Sequence, residues 1–99
     1  MVTILGHRPV YLGHRPVYWE CTVDGHNKFW AAQIIENMFN PDPNSKTNVQ
    51  KVYTLVRKWG AIGTEGQKME QDYRDLYEAE RALDKLIWEK ESKGYKPIF

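Results

Sequence analysis

Apolar and polar residues alternate from 17 to 23. Val17, Trp19, Cys21 and Val23 fall on one side; Tyr18, Glu20 and Thr22 fall on the other. A period of two is the signature of a half-buried strand. Asp24-Gly25-His26-Asn27 follows, and Asp-Gly marks a hairpin because both positions accept positive φ. Residues 29–36 read as the return strand. Phe29, Ala31 and Ile35 share one face, and Trp30, Ala32 and Ile34 share the other. Apolar residues on both faces predict a central strand. Residues 37–48 then break the pattern. Asn40-Pro41-Asp42-Pro43-Asn44-Ser45 holds two prolines that cannot donate to a ladder, so the whole stretch is expected to be a loop between antiparallel strands. Residues 49–59 form a third strand, and residues 67–73 a short fourth.

The period changes after Arg74. Leu76, Ala79, Leu83, Leu86, Ile87 and Lys90 recur at helical spacing, an apolar stripe that ends in a cation. Asp75 is placed to cap this helix, with Glu78 three residues on as in a capping box. Gly94 fits the position just past the helix end, with Pro97 beyond it as a stop. Trp30 and Trp88 are expected in the core, Trp19 more loosely so. The predicted fold class is α+β: an antiparallel sheet of about four strands with one amphipathic C-terminal helix packed on a face.

A chain of 99 residues makes one small domain with a modest core. Four Trp and six Tyr give that core much area per residue, or serve as stacking surfaces. One cysteine excludes an internal disulfide and suits a reducing compartment. Residues 1–6 lack the apolar run of an export signal, and no stretch is long enough to cross a membrane. The expected location is the cytoplasm, at the nucleoid if the source is bacterial. The net charge of +1 is not that of an obvious nucleic-acid binder. Its distribution says more: seven Lys+Arg stand against four Asp+Glu through Gly60, and seven against nine after it. An anion-binding face is therefore expected on the strands and at the helix C-terminus.

Residues 5–18 repeat Leu-Gly-His-Arg-Pro-Val-Tyr twice without a change. Two short copies do not make a solenoid. The first copy is expected to be a tail or an added edge segment, giving an arm over 1–15 and a domain over 16–99. Arg8 and Arg15 could alternatively reach a phosphate backbone. The repeat spaces His7, His14 and Cys21 by seven, with His26 nearby, but that spacing matches no common zinc site. No metal, cofactor or catalytic residue is expected. Gly60-x-x-Gly63-x-x-Gly66 lacks the Gly-Lys-Ser/Thr of a phosphate loop and precedes a strand. The carboxylate pairs lie on the wet face of the helix, where solvation accounts for them.

The remaining feature is Trp59-Gly60-Ala61-Ile62-Gly63-Thr64-Glu65-Gly66-Gln67, three glycines in seven residues behind one aromatic. It reads as a tight strand-to-strand connection that holds Trp59 at the end of its strand. With Tyr53 to Lys58 before it, this stretch resembles the signature of the WGR domain. Glu89-Lys90-Glu91-Ser92-Lys93-Gly94-Tyr95 and Asn27-Lys28-Phe29-Trp30-Ala31-Ala32-Gln33-Ile34 are similar to further parts of that family, in its order. Ala61 departs from the arginine of the name motif. The resemblance implies a sheet-plus-helix fold and a non-catalytic module that holds DNA ends or breaks. In the poly(ADP-ribose) polymerases that carry it, catalysis lies in a separate and longer region. The motif tryptophan stacks on a terminal sugar there, which maps to Trp59 with Gly60 beside it.

The resemblance implies that the motif arginine contacts the DNA backbone and neighbouring domains, a role that has no carrier at Ala61. Arg57, Lys58 or Lys68 could compensate, with Arg57 on the strand face of Trp59 and Lys58 on the other. Lys90, Lys93 and Tyr95 fall in the third matched stretch, which the family places at the DNA side; helix-dipole matching equally accounts for the two lysines. Two functions from different classes follow. One is a nucleic-acid-binding module for DNA ends or nicks, with a place in DNA damage and little sequence preference. The other is a protein–protein interaction module that has kept the fold and lost DNA. The oligomeric state is not readable from the sequence.

Overall fold

A computed structural model describes residues 3–9, 17–40, 42, 44 and 49–98, with the backbone alone at 3–9 and 39. Six strands and one helix follow in the order β1 (Thr3–Pro9), β2 (Tyr18–Cys21), β3 (Lys28–Asn40), β4 (Gln50–Ala61), β5 (Gln67–Tyr73), α1 (Leu76–Ser92) and β6 (Lys96–Pro97). The sheet is antiparallel with the path β5-β4-β3-β2-β6, and β1 pairs along β3. The fold is α+β, with one strand more on its main path than the four expected.

β3 is the central strand, as its two apolar faces imply. One edge pairs with β4 along its whole length, from Lys28↔Ala61 to Phe39↔Gln50. The other edge is divided. Its first half takes β2, from Tyr18↔Ala31 to Cys21↔Lys28, and its second half takes β1, from Thr3↔Asn40 to Pro9↔Ile35. The β2–β3 connection is a 3₁₀ turn at Val23–Gly25 in which Asp24 has φ 54° and Gly25 φ 81°. Of the tandem repeat, the backbone of 5–9 lies in β1, and Val17 and Tyr18 lead into β2. His14 and Arg15 lie outside the described residues, as does part of the sequence-predicted loop.

That predicted loop begins too early. Residues 37–40 belong to β3, because β4 offers partners to 37–39 on one edge while β1 pairs 37–40 on the other. The prolines act only from Pro41 onward. There Asn40 Oδ1 accepts from the Asp42 amide at 2.9 Å, and Asp42 Oδ1 accepts from the Asn44 amide at 3.0 Å. These are successive Asx turns.

Helix α1 lies across the face that carries Trp19, Trp30, Ala32, Ile34 and Leu55, and buries Ala79, Leu83 and Ile87 against them. Asp75 caps it, accepting from the Tyr77 amide at 2.7 Å. Its other end is a Schellman turn: Gly94 has φ 100°, Tyr95 N–H donates to the Lys90 carbonyl, and Gly94 N–H donates to that of Glu91. Lys96–Pro97 returns to the sheet as β6, beside Trp19 and Glu20. The tryptophan assignments also change. Trp19 is 1% exposed and belongs to the core, while Trp88 is 71% exposed. Trp88 follows Ile87 by one residue, about 100° around the helix from the stripe, so it faces water.

Candidate nucleic-acid interface

Strand register assembles the site. Trp19↔Trp30 and Trp30↔Trp59 are directly opposed pairs, so three tryptophans form a row across β2, β3 and β4 on the helix side. The Trp19 and Trp30 rings lie 5.0 Å apart and tilted by 53°, and Trp19 Nε1 donates to Glu91 Oε2 at 3.3 Å. Trp59 ends the row, half-buried. It packs against the core cluster and also lines a pocket of about 450 Å³. Its ring is thus shared between the core and the pocket.

Four segments meet at this pocket. The end of β4 gives Gly60 and Ala61 with Trp59, the β2–β3 turn gives Gly25, His26 and Asn27, β3 gives Lys28, and the end of α1 with the turn after it gives Lys90 and Tyr95. The glycine turn is closed by Ile62 N–H donating to the Asn27 carbonyl and Thr64 N–H to that of Ala61. Gly60 is there for close approach: a Cβ on it would stand 2.8 Å from Gly66 Cα. Lys90 Nζ lies 5.4 Å from the centre of the Tyr95 ring and 6.0 Å from that of Trp30. Burial pushes its ammonium below the ordinary lysine range. Lys93 pushes it further, Glu89 pulls back, and Arg57 and Lys28 add to the depression. Tyr95 is pushed up by burial and by the field of Cys21. Among the described residues no acidic side chain lines the pocket. A half-buried aromatic edge with ammonium groups beside it can stack on a ring and hold an anion.

The sequence-predicted residues divide between two faces. Trp59, Gly60, Lys90 and Tyr95 come together in the pocket. Lys93 follows the helix and is exposed next to Lys90. Arg57 shares the face of Trp59, but its Nη2 lies 2.6 Å from Met69 Sδ and its buried Nε has no hydrogen-bond partner among the described residues. Lys58 and Lys68 pair directly across β4 and β5 on the opposite, helix-free face. They line a different concavity there with Val17, Tyr18, Ala31 and Val56. Lys68 is engaged by Glu70 at 3.1 Å. On that face Tyr18 stacks on Phe29 at 5.7 Å and donates to Glu20 Oε2 at 3.0 Å; burial, with the bond to Glu20, raises its phenol.

Asn27 and Lys28 read in the sequence only as part of a turn or strand, and His26 only as a turn residue and possible zinc ligand, none of them as a neighbour of Trp59. Only the long-range register Lys28↔Ala61 brings them to Trp59, and no local pattern encodes that pairing. Among the described residues no three His, Cys, Asp or Glu side chains are grouped to hold a metal. His7 and His14, weighed above as zinc ligands, have no described side chains.

The WGR domain model matches residues 16–98. The chain belongs to the WGR domain family. WGR domains are non-catalytic binding modules associated with nucleic acids. Over 70 residues the chain is 42% identical to the uncharacterized protein y4dW of Sinorhizobium fredii (strain NBRC 101917 / NGR234), which covers 71% of this chain and 29% of that protein. The chain thus spans under a third of the length of that relative. No solved structure matches it.

Proposed function

We propose that this WGR domain binds DNA ends or nicks with little sequence preference and without catalysis. The observation that carries the reading is the pocket itself: Trp59 is half-buried beside Tyr95 and Lys90, and among the described residues no carboxylate lines the space. Trp59 would stack at the exposed terminus, and Gly60 would let the strand approach. Lys90, with Lys93 at the rim, would hold phosphate, and Tyr95 would wall the site. Arg57 would contribute to the field. Lys58 and Lys68 face the other way and would matter only to a strand that wraps the sheet edge. The helix is committed to the core, so nothing is available to read a major groove. Such a module would work in the cytoplasm, at the nucleoid if its source is bacterial.

Fluorescence anisotropy tests this with a nicked 5′-phosphorylated duplex, an intact duplex and a single strand over a salt series. Preference for the nick, loss with salt, and a drop in Trp59→Ala support the reading. No binding to any of the three at low salt ends it. The second reading, a protein–protein module, draws on Ala61 and on the exposed aromatics Trp88 and Tyr77 of the outer helix face. It would take over on that negative result.

A further inference from the structure

The motif position that holds arginine elsewhere holds Ala61 here, and a methyl group cannot contact phosphate. In the β3–β4 ladder the residue directly opposite Ala61 is Lys28. Opposed residues of an antiparallel pair project on the same face, with Cβ atoms about 4.5–5.5 Å apart. Both line the pocket of Trp59 and Tyr95. Lys28 is exposed, and among the described residues no carboxylate pairs with it. Its field reaches Lys90, one more sign that the two ammonium groups share the site. The other cations are less free. Lys90 sits over two rings, Arg57 is turned onto Met69, and Lys58 and Lys68 face away.

We propose that Lys28 supplies the phosphate contact that the motif arginine would make, so that the cation has moved across one ladder rung from β4 to β3. Ala61 is then the partner that leaves room for it, since a flexible four-carbon stem can cross above a methyl group. The inference rests on the DNA-binding reading. A lysine holds phosphate as a point charge, without the bidentate fork of arginine.

The test measures anisotropy on the nicked 5′-phosphorylated duplex over a salt series. It compares wild type, Lys28→Ala, Lys58→Ala and the double variant Lys28→Ala/Ala61→Arg. Lys28→Ala should bind about three- to tenfold more weakly at low salt, with a log–log salt slope smaller by about one. Lys58→Ala should match wild type, and the double variant should regain the affinity and slope. Thermal unfolding of Lys28→Ala should coincide with wild type, which separates a lost contact from a damaged fold. Equal binding and slope for Lys28→Ala and wild type would overturn the proposal. So would an equal loss in Lys58→Ala, or a double variant that stays as weak as Lys28→Ala. Failure of the wild type to bind removes the DNA reading and this inference together. An unaffected Lys28→Ala beside a binding wild type removes this inference alone.

Discussion

Trp59 does two jobs at once, and a single substitution separates them. One part of its ring packs against the core cluster and another lines the pocket. Trp59→Ala should therefore lower DNA affinity by about 1–3 kcal/mol, the worth of an aromatic platform. It should also lower stability, because buried aromatic area is lost. Trp59→Phe keeps a stacking face and most of the packing, so it should recover a larger share of both. Titrations beside urea melts of the two variants check this; equal affinity in Trp59→Ala and wild type would place the ring in the core alone. Gly66 supports the same residue from below. It has φ 72°, and a Cβ on it would run into the Trp59 carbonyl oxygen and stand 2.9 Å from Phe29 Cζ. Gly66→Ala should thus destabilise the fold by more than about 2 kcal/mol, adding backbone strain to a clash that backbone cannot relieve. A urea midpoint within error of wild type would count against that account.

Among the elements, α1 was the most legible in sequence, because its signals are local. Asp75, the apolar stripe and Gly94 each specify their own turn, and the structure puts each in its expected role. Asp75→Ala should cost about 0.5–2 kcal/mol through the lost bond to the Tyr77 amide. Trp88→Gln, on the wet face, should change stability by less than about 0.5 kcal/mol. Thermal melts of the pair check both, and a large loss in Trp88→Gln would mean that the ring is covered in solution. Trp88 was misread because tryptophan is usually placed inside, although the helical period already put it outside. Strand ends were less legible than strand cores. Residues 37–40 look like loop by composition, and only pairing with β1, and with β4 as far as 39, makes them strand. β6 was missed for the same reason: Lys96–Pro97 has no pattern of its own, and Trp19 and Glu20 recruit it. Half of the candidate site was readable in the glycine turn and the Lys90–Tyr95 stretch. Lys28 was not, since its place beside Trp59 depends on a register between residues 33 positions apart.

For the molecule as a whole, charge is spread thinly and concentrated by topology. The net charge is +1, yet the start of β3, the end of β4 and the end of α1 bring the charges of Lys28, Arg57 and Lys93 to bear on Lys90. The result is a pH dependence with a definite sign. Lys90 titrates below the ordinary lysine value of 10.5 in the folded chain, chiefly through burial. Between that lowered value and 10.5 the unfolded chain holds the proton more often than the folded one, so stability should rise with pH. Below the lowered value both states are protonated and the slope vanishes. Tyr95 acts in the opposite sense from about pH 10 upward: its raised value lets the unfolded state lose its proton first, which lowers stability. Anion binding adds a third effect in the lysine window. A bound phosphate favours charged Lys90, so DNA affinity should fall as pH rises through the lowered value, while stability is still climbing. Chemical denaturation and anisotropy from pH 7 to 10, on wild type and Lys90→Met, test this together. Wild type should show opposite slopes for stability and affinity on the approach to pH 10, and both should flatten in Lys90→Met. Parallel slopes, or slopes that survive in Lys90→Met, would mean that the charge felt by DNA is not that of Lys90.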